Sequence, residues 1–75
     1  MISITILAPF EVPGLQADDS LPVSDNISIH QLLRQSKAPA YVYAFPVLVN
    51  GVIVKKRQRL KDGDQVVFIV PISGG

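Results

Sequence analysis

Few side chains in this 75-residue chain could do chemistry of their own. There is one histidine, His30, and no cysteine, so neither a Cys-His pair nor a convincing Ser-His-Asp relay can be assembled. Asp18-Asp19, and Asp62 with Asp64, are paired carboxylates of the sort used in general acid–base catalysis. Both pairs sit among turn residues, however, where aspartate is common because its carboxylate hydrogen-bonds nearby backbone. No phosphate loop of the form G-x-x-x-x-G-K occurs. His30 has no second histidine or cysteine near it and does not read as a metal ligand. The remaining candidate is the Gly75 carboxylate. Pro71 should release the chain from a sheet, Ile72 can still anchor by packing, and Ser73, Gly74 and Gly75 add almost no bulk. Two glycines lack the Cβ atoms that would block close approach, so such a tail can thread a narrow channel in another protein. A carboxylate is a poor electrophile and must be activated before one of its oxygens is replaced. The pattern suits a protein that other enzymes act upon, with Gly75 as the reacting residue and Ile72, Ser73 and Gly74 giving channel access.

Two further groups could meet partners. Lys55, Lys56, Arg57 and Arg59 form a basic run, which can mark a nucleic-acid site. The chain has only two tyrosines and three phenylalanines, none of them inside the run to stack on bases. A formal net charge of +1 adds little attraction. A solvated strand end, or a dock for an acidic partner, is the expected reading, and nucleic acid is not the expected partner. Tyr41, Tyr43 and Phe45 precede an apolar strand and read first as core. Some of them, with Leu48 and Phe68, could instead line an exposed sheet face, since exposed apolar patches mark interaction sites. Phe68, Leu48, Lys56 and Arg57 are accordingly the candidate partner-docking residues.

The elements that must position these groups are legible in outline. The length suits one domain, which at this size buries only about 60% of its unfolded surface. Without cysteines, stability must come from an apolar core, for which a 48% hydrophobic content is adequate. Ile2, Ile4 and Ile6 alternate with Ser3 and Thr5, the period of a half-buried strand. Ala17 to Val23 predicts a second strand, which Pro22 would confine to an edge or an end. Ser28 followed by Gln31 fits a capping box, and Ile29, Leu32 and Leu33 share one helical face, so a helix is predicted over about 29–36. Lys37-Ala38-Pro39 should end it. Val47-Leu48-Val49, Asn50-Gly51 and Val52-Ile53-Val54 predict a hairpin with a type I′ turn. The apolar runs on both sides imply that both its faces are covered. After the turn Asp62-Gly63-Asp64, residues 66–70 predict a buried strand that Pro71 ends. One helix on a mixed four- or five-stranded sheet is an α+β arrangement. No stretch approaches the ~20 apolar residues of a membrane span, and no secretory signal is visible. A cytoplasmic location is the expectation.

This order of elements resembles the β-grasp, the ubiquitin fold. Residues 47–75 are similar to the sulfur-carrier family, which includes the small subunit of molybdopterin synthase and the thiamine-biosynthesis sulfur carrier. The likeness rests on Val49-Asn50-Gly51, on Leu60-Lys61-Asp62-Gly63-Asp64 and on Gly74-Gly75, with support from Ile29-His30-Gln31-Leu32-Leu33. It implies a β-grasp domain over 1–71 and a flexible tail over 72–75. It also implies that the chain is a protein co-substrate, or the small subunit of a synthase, and binds no cofactor itself. An adenylyltransferase resembling ubiquitin-activating enzymes would use ATP to adenylate Gly75. A sulfur-donor enzyme would then displace AMP, and the resulting thiocarboxylate would pass sulfur to an acceptor synthase. The ending Pro71-Ile72-Ser73-Gly74-Gly75 and the long connection around Pro9 to Gln16 look more like the molybdopterin branch. The short length and the Asn50-Gly51 hairpin suit the thiamine branch, and the balance leans to molybdopterin. Alternatives are a ubiquitin-like modifier conjugated through Gly75, or a β-grasp module that binds RNA or a partner.

Overall fold

The alternating isoleucines form β1 (Ile2–Leu7), which pairs antiparallel with β2 (Ser20–Val23). In this computed structural model residues 1–69 are described. The remaining elements are α1 (Ile29–Gln35), a 3₁₀ helix (Ala40–Ala44), β3 (Val47–Val49), β4 (Val52–Val54) and β5 (Gln65–Phe68). The strands make one mixed five-stranded sheet in the order β2-β1-β5-β3-β4, with β5 parallel to β1 and antiparallel to β3. Pro22 lies on an edge strand, as its missing N–H requires.

Burial follows the strand period. Ile4, Ile6, Val47, Val49, Val66 and Phe68 turn to one face, where Ile29, Leu32 and Leu33 of α1 cover them. The helix starts at the expected capping box: the Gln31 N–H donates to Ser28 Oγ (3.2 Å), and the Ser28 N–H donates to Gln31 Oε1 (2.9 Å). Its next free amides are met by the segment after β4, where Ile29 N–H donates to the Gln58 carbonyl (3.0 Å) and His30 N–H to that of Lys56 (2.8 Å). The helix ends at Gln35 with Ser36 as its C-cap, and Lys37 just beyond it turns the chain with a left-handed φ of 55° ahead of Pro39. The Asn50-Gly51 turn has the two positive φ angles of type I′, 53° and 84°.

Three expectations need correction. The hairpin is not covered on both faces, because β4 lies at the sheet edge, leaving Val52 63% and Ile53 67% exposed. Phe68 is not on the exposed face. It is 5% exposed, and its ring lies 5.6 Å from that of Phe10 inside the core. The last strand is not buried throughout, because it alternates, with Val66 and Phe68 inside and Val67 half-exposed. Val70, the proposed boundary at residue 71, and Ile72, Ser73, Gly74 and Gly75 lie outside the described residues.

Candidate functional site

The last strand among the described residues, β5, is central in the sheet, paired on both sides. The last described residue, Ile69, sends its N–H toward the Pro46 carbonyl at 3.4 Å. The antiparallel register brings this end of β5 beside the start of β3 and the end of β4, through Phe68 opposite Val47 and Val47 opposite Val54. Lys56 is committed here. Its ammonium donates to the Phe45 carbonyl at 2.7 Å, holding the strand end beside Pro46. It is therefore half-buried scaffolding, whereas Arg57 is exposed, as is Lys55. Arg59 is also engaged, donating to the Asn26 carbonyl at 2.9 Å. The basic run thus divides into two framework residues and two exposed cations.

Register assembles the apolar patch that the sequence left ambiguous. Leu7 lies opposite Val67, Val67 opposite Leu48, and Leu48 opposite Ile53. All four are out of phase with the core residues of their strands, so they form a row across the face turned away from α1. Leu7 is 49% exposed, and Ile69, in phase with Val67, continues the row at 39%. Leu48, named from the sequence, belongs to this row. Phe68 does not, and its neighbours Val67 and Ile69 take its place. Leu7, Val67, Ile53 and Ile69 were missed. Leu7 carried a signal, since an apolar residue at an even step from Ser3 and Thr5 breaks the alternation set by Ile2, Ile4 and Ile6. Residues 66–69 carried none, because a run of four apolar residues has no readable phase.

The other sequence candidates are structural. His30 is exposed and meets the Tyr43 ring edge-on at 5.8 Å. Asp62 accepts from the Ser3 N–H (2.8 Å), and Asp64 accepts from Lys61 N–H (2.7 Å) and from Asn50 Nδ2 (2.9 Å). Asn50 Oδ1 in turn accepts from Gln65 N–H (2.9 Å), and the Asn50 N–H donates to the Gln65 carbonyl (2.8 Å). The two turn motifs therefore latch the β3–β4 hairpin to the root of β5. Asp18 holds Ser20, whose hydroxyl (2.6 Å) and N–H (3.1 Å) both donate to Oδ1, and these bonds keep its carboxyl below the usual aspartate range. No cluster of three or more potential metal ligands occurs among the described residues. No helix among them is long and apolar enough to cross a membrane.

A structural relative agrees with this architecture. SAMP1 from Haloferax volcanii, a ubiquitin-like protein, superposes with a TM-score of 0.66 over 97% of this chain and 99% of its own, at 17% identity. The likeness establishes the ubiquitin-like β-grasp fold. No curated protein matches the chain by sequence. The ThiS family model matches residues 8–75, which include the turn latch, the apolar row from Leu48 onward and the Gly74-Gly75 ending. The chain belongs to the ThiS family of small, ubiquitin-like sulfur carriers.

Proposed function

We propose that the chain carries sulfur as a thiocarboxylate on Gly75 and delivers it during biosynthesis of a sulfur-containing cofactor. The observation that supports this reading is the ThiS family match, which continues to residue 75. A Gly75 oxygen attacks the α-phosphorus of ATP on a partner adenylyltransferase, and pyrophosphate leaves. Sulfide-level sulfur from a donor enzyme then attacks the acyl carbon, and the C–S bond forms as the bond to AMP breaks, with no change of oxidation state. The thiocarboxylate is a nucleophile that an acceptor synthase can use. Ile72, Ser73 and Gly74 serve as the thin leader that lets the carboxylate reach these sites, and the row Leu7, Leu48, Ile53, Val67 and Ile69 is the face on which partners settle. The ending Pro71-Ile72-Ser73-Gly74-Gly75 favours molybdopterin over thiamine thiazole as the product served.

A second reading is conjugation of Gly75 to lysines of target proteins, as a modifier. It is favoured by the fold shared with SAMP1, a ubiquitin-like small archaeal modifier protein. One experiment separates the two. The chain is incubated with ATP, an activating enzyme, a sulfur source and cell lysate, and its intact mass is measured. Exchange of one oxygen for sulfur at Gly75 supports the carrier. ATP-dependent adducts linked through lysine, with no thiocarboxylate, support the modifier. Absence of both, or reaction undiminished by deletion of Gly75, overturns the tail chemistry.

A further inference from the structure

The sheet has two edges, and they are treated differently. On β2, the bond from Ile6 N–H to the Asp19 carbonyl (2.9 Å) fixes the parity of the β1–β2 ladder. Pro22 and Ser20 are then the residues whose backbone nitrogens face outward. Pro22 has no N–H to offer, and the Ser20 N–H is taken by Asp18. That edge has no free donor to give a further strand.

On β4 the two-residue turn sets the parity. Val49 and Val52 are the bonded pair that closes it, Val47 and Val54 are the next, and Ile53 lies between them. The Ile53 N–H and carbonyl therefore point away from β3, and neither joins the turn and loop hydrogen bonds found among the described residues. Val52 and Ile53 flank this open pair on opposite faces, each more than half exposed. Lys55 and Arg57 follow directly, both exposed, and no carboxylate among the described residues pairs with them.

We infer that the β4 edge is a strand-addition site for an extended partner segment carrying two adjacent apolar residues preceded by acidic ones. In an antiparallel pairing the residue opposite Ile53 exchanges two backbone hydrogen bonds with it and extends the apolar row of the outer face. The next residue packs against Val52. The residue two places earlier falls opposite Lys55, and Arg57 follows in the turn closed by the Gln58 N–H on the Lys55 carbonyl (3.0 Å), so acidic residues preceding the apolar pair approach both exposed cations. A second copy of this chain fits less well. Two-fold pairing about Ile53 sets Lys55 opposite Gly51 and leaves both cations without an anion. The end of the added segment would lie on the side of the sheet where Val54, Val47 and Phe68 are paired. The inference does not depend on the chemistry at Gly75.

The test uses the full chain, isotopically labelled, and an acetylated, amidated Asp-Glu-Asp-Thr-Val-Val peptide. Amide shifts confined to residues 51–57 and their β3 neighbours are expected. Affinity should fall roughly tenfold in a Lys55→Glu, Arg57→Glu double variant, because two exposed charge pairs become repulsive. Ile53→Pro removes the outward N–H, and the exposed Ile53 side chain with it, without taking a donor from the β3–β4 ladder, and should abolish binding while the unfolding transition remains cooperative. A chain lacking Gly75 should bind unchanged, which separates this site from the tail reaction. Shifts centred on β2 or α1, binding indifferent to both variants, no binding at the peptide's solubility limit, or sedimentation showing that a second copy occupies β4 would each overturn the inference.

Discussion

Asn50 should be the most sensitive exposed residue of the domain. Its side chain makes two hydrogen bonds, one with the Asp64 carboxylate and one with the Gln65 N–H, and its backbone sits at φ 53°. A side-chain hydrogen bond contributes about 1 kcal/mol, and one to a charged group rather more, discounted here because both lie at the surface. Asn50→Gly loses the two bonds but keeps an easy left-handed backbone, so a cost of about 1–2 kcal/mol is expected. Asn50→Ala loses the same bonds and adds about 1 kcal/mol of left-handed strain, for a total of about 2–3 kcal/mol. At roughly 4–8 °C per kcal/mol for a domain of this size, the alanine variant should melt some 8–24 °C lower. Asn50→Asp sets a second carboxylate against Asp64, so it should be destabilised near neutral pH. Urea unfolding with an unchanged m-value is the assay. If alanine and glycine cost the same, the strain argument fails. If alanine costs less than about 0.5 kcal/mol, the turn latch is not holding the root of β5.

The remaining predictions are simpler to test. Phe68→Ala should cost about 3–5 kcal/mol, as a buried ring leaves a cavity, whereas Val67→Asp should unfold little more easily than the parent and weaken binding to the activating enzyme. Equal stability losses would return Phe68 to the surface. Ser28→Ala removes the capping box and should cost about 1 kcal/mol in thermal unfolding. Asp18 should titrate below an unfolded-chain aspartate by NMR, and Ser20→Ala should bring it back up. The folded value is lowered, so the associated stability is present above the unfolded pKa and fades as pH falls through the folded one. An Asp18 titration unmoved by Ser20→Ala would remove that hydrogen-bonding cause.

What the sequence made legible was whatever depends on local physics. Ser28 and Gln31 announced the helix start, Asn50-Gly51 the turn and Pro22 an edge, because capping, positive φ and a missing N–H act within a few residues. What stayed hidden depends on pairing across the chain. The assignment of Phe68 to the outer face failed because Val66 to Ile69 is apolar at every position, and only its neighbours β1 and β3 fix which side faces α1. The coverage expected for the hairpin failed for the same reason, since nothing in Val52-Ile53-Val54 reveals that no strand follows it. Lys56 and Arg59 looked like solvated charge until their carbonyl partners, 11 and 33 residues away in sequence, were in place. Of the apolar row, Leu48 was readable in advance and the rest was not, while the glycine ending lies outside the described residues.

Placing β5 between β1 and β3 also governs when the molecule can exist. Until residues 65–68 have emerged from the ribosome, the strands can form only two separate pairs, β1–β2 and β3–β4, each too small to persist alone in water. The strand that fuses them is also the one that launches the segment proposed to react. A chain lacking residues 65–68 therefore cannot assemble the finished outer face, because Val67 is the link between Leu7 and Leu48. The same placement makes the closing contacts span nearly the whole described length, which predicts assembly governed by long-range encounter and slower than in a helical bundle of equal size.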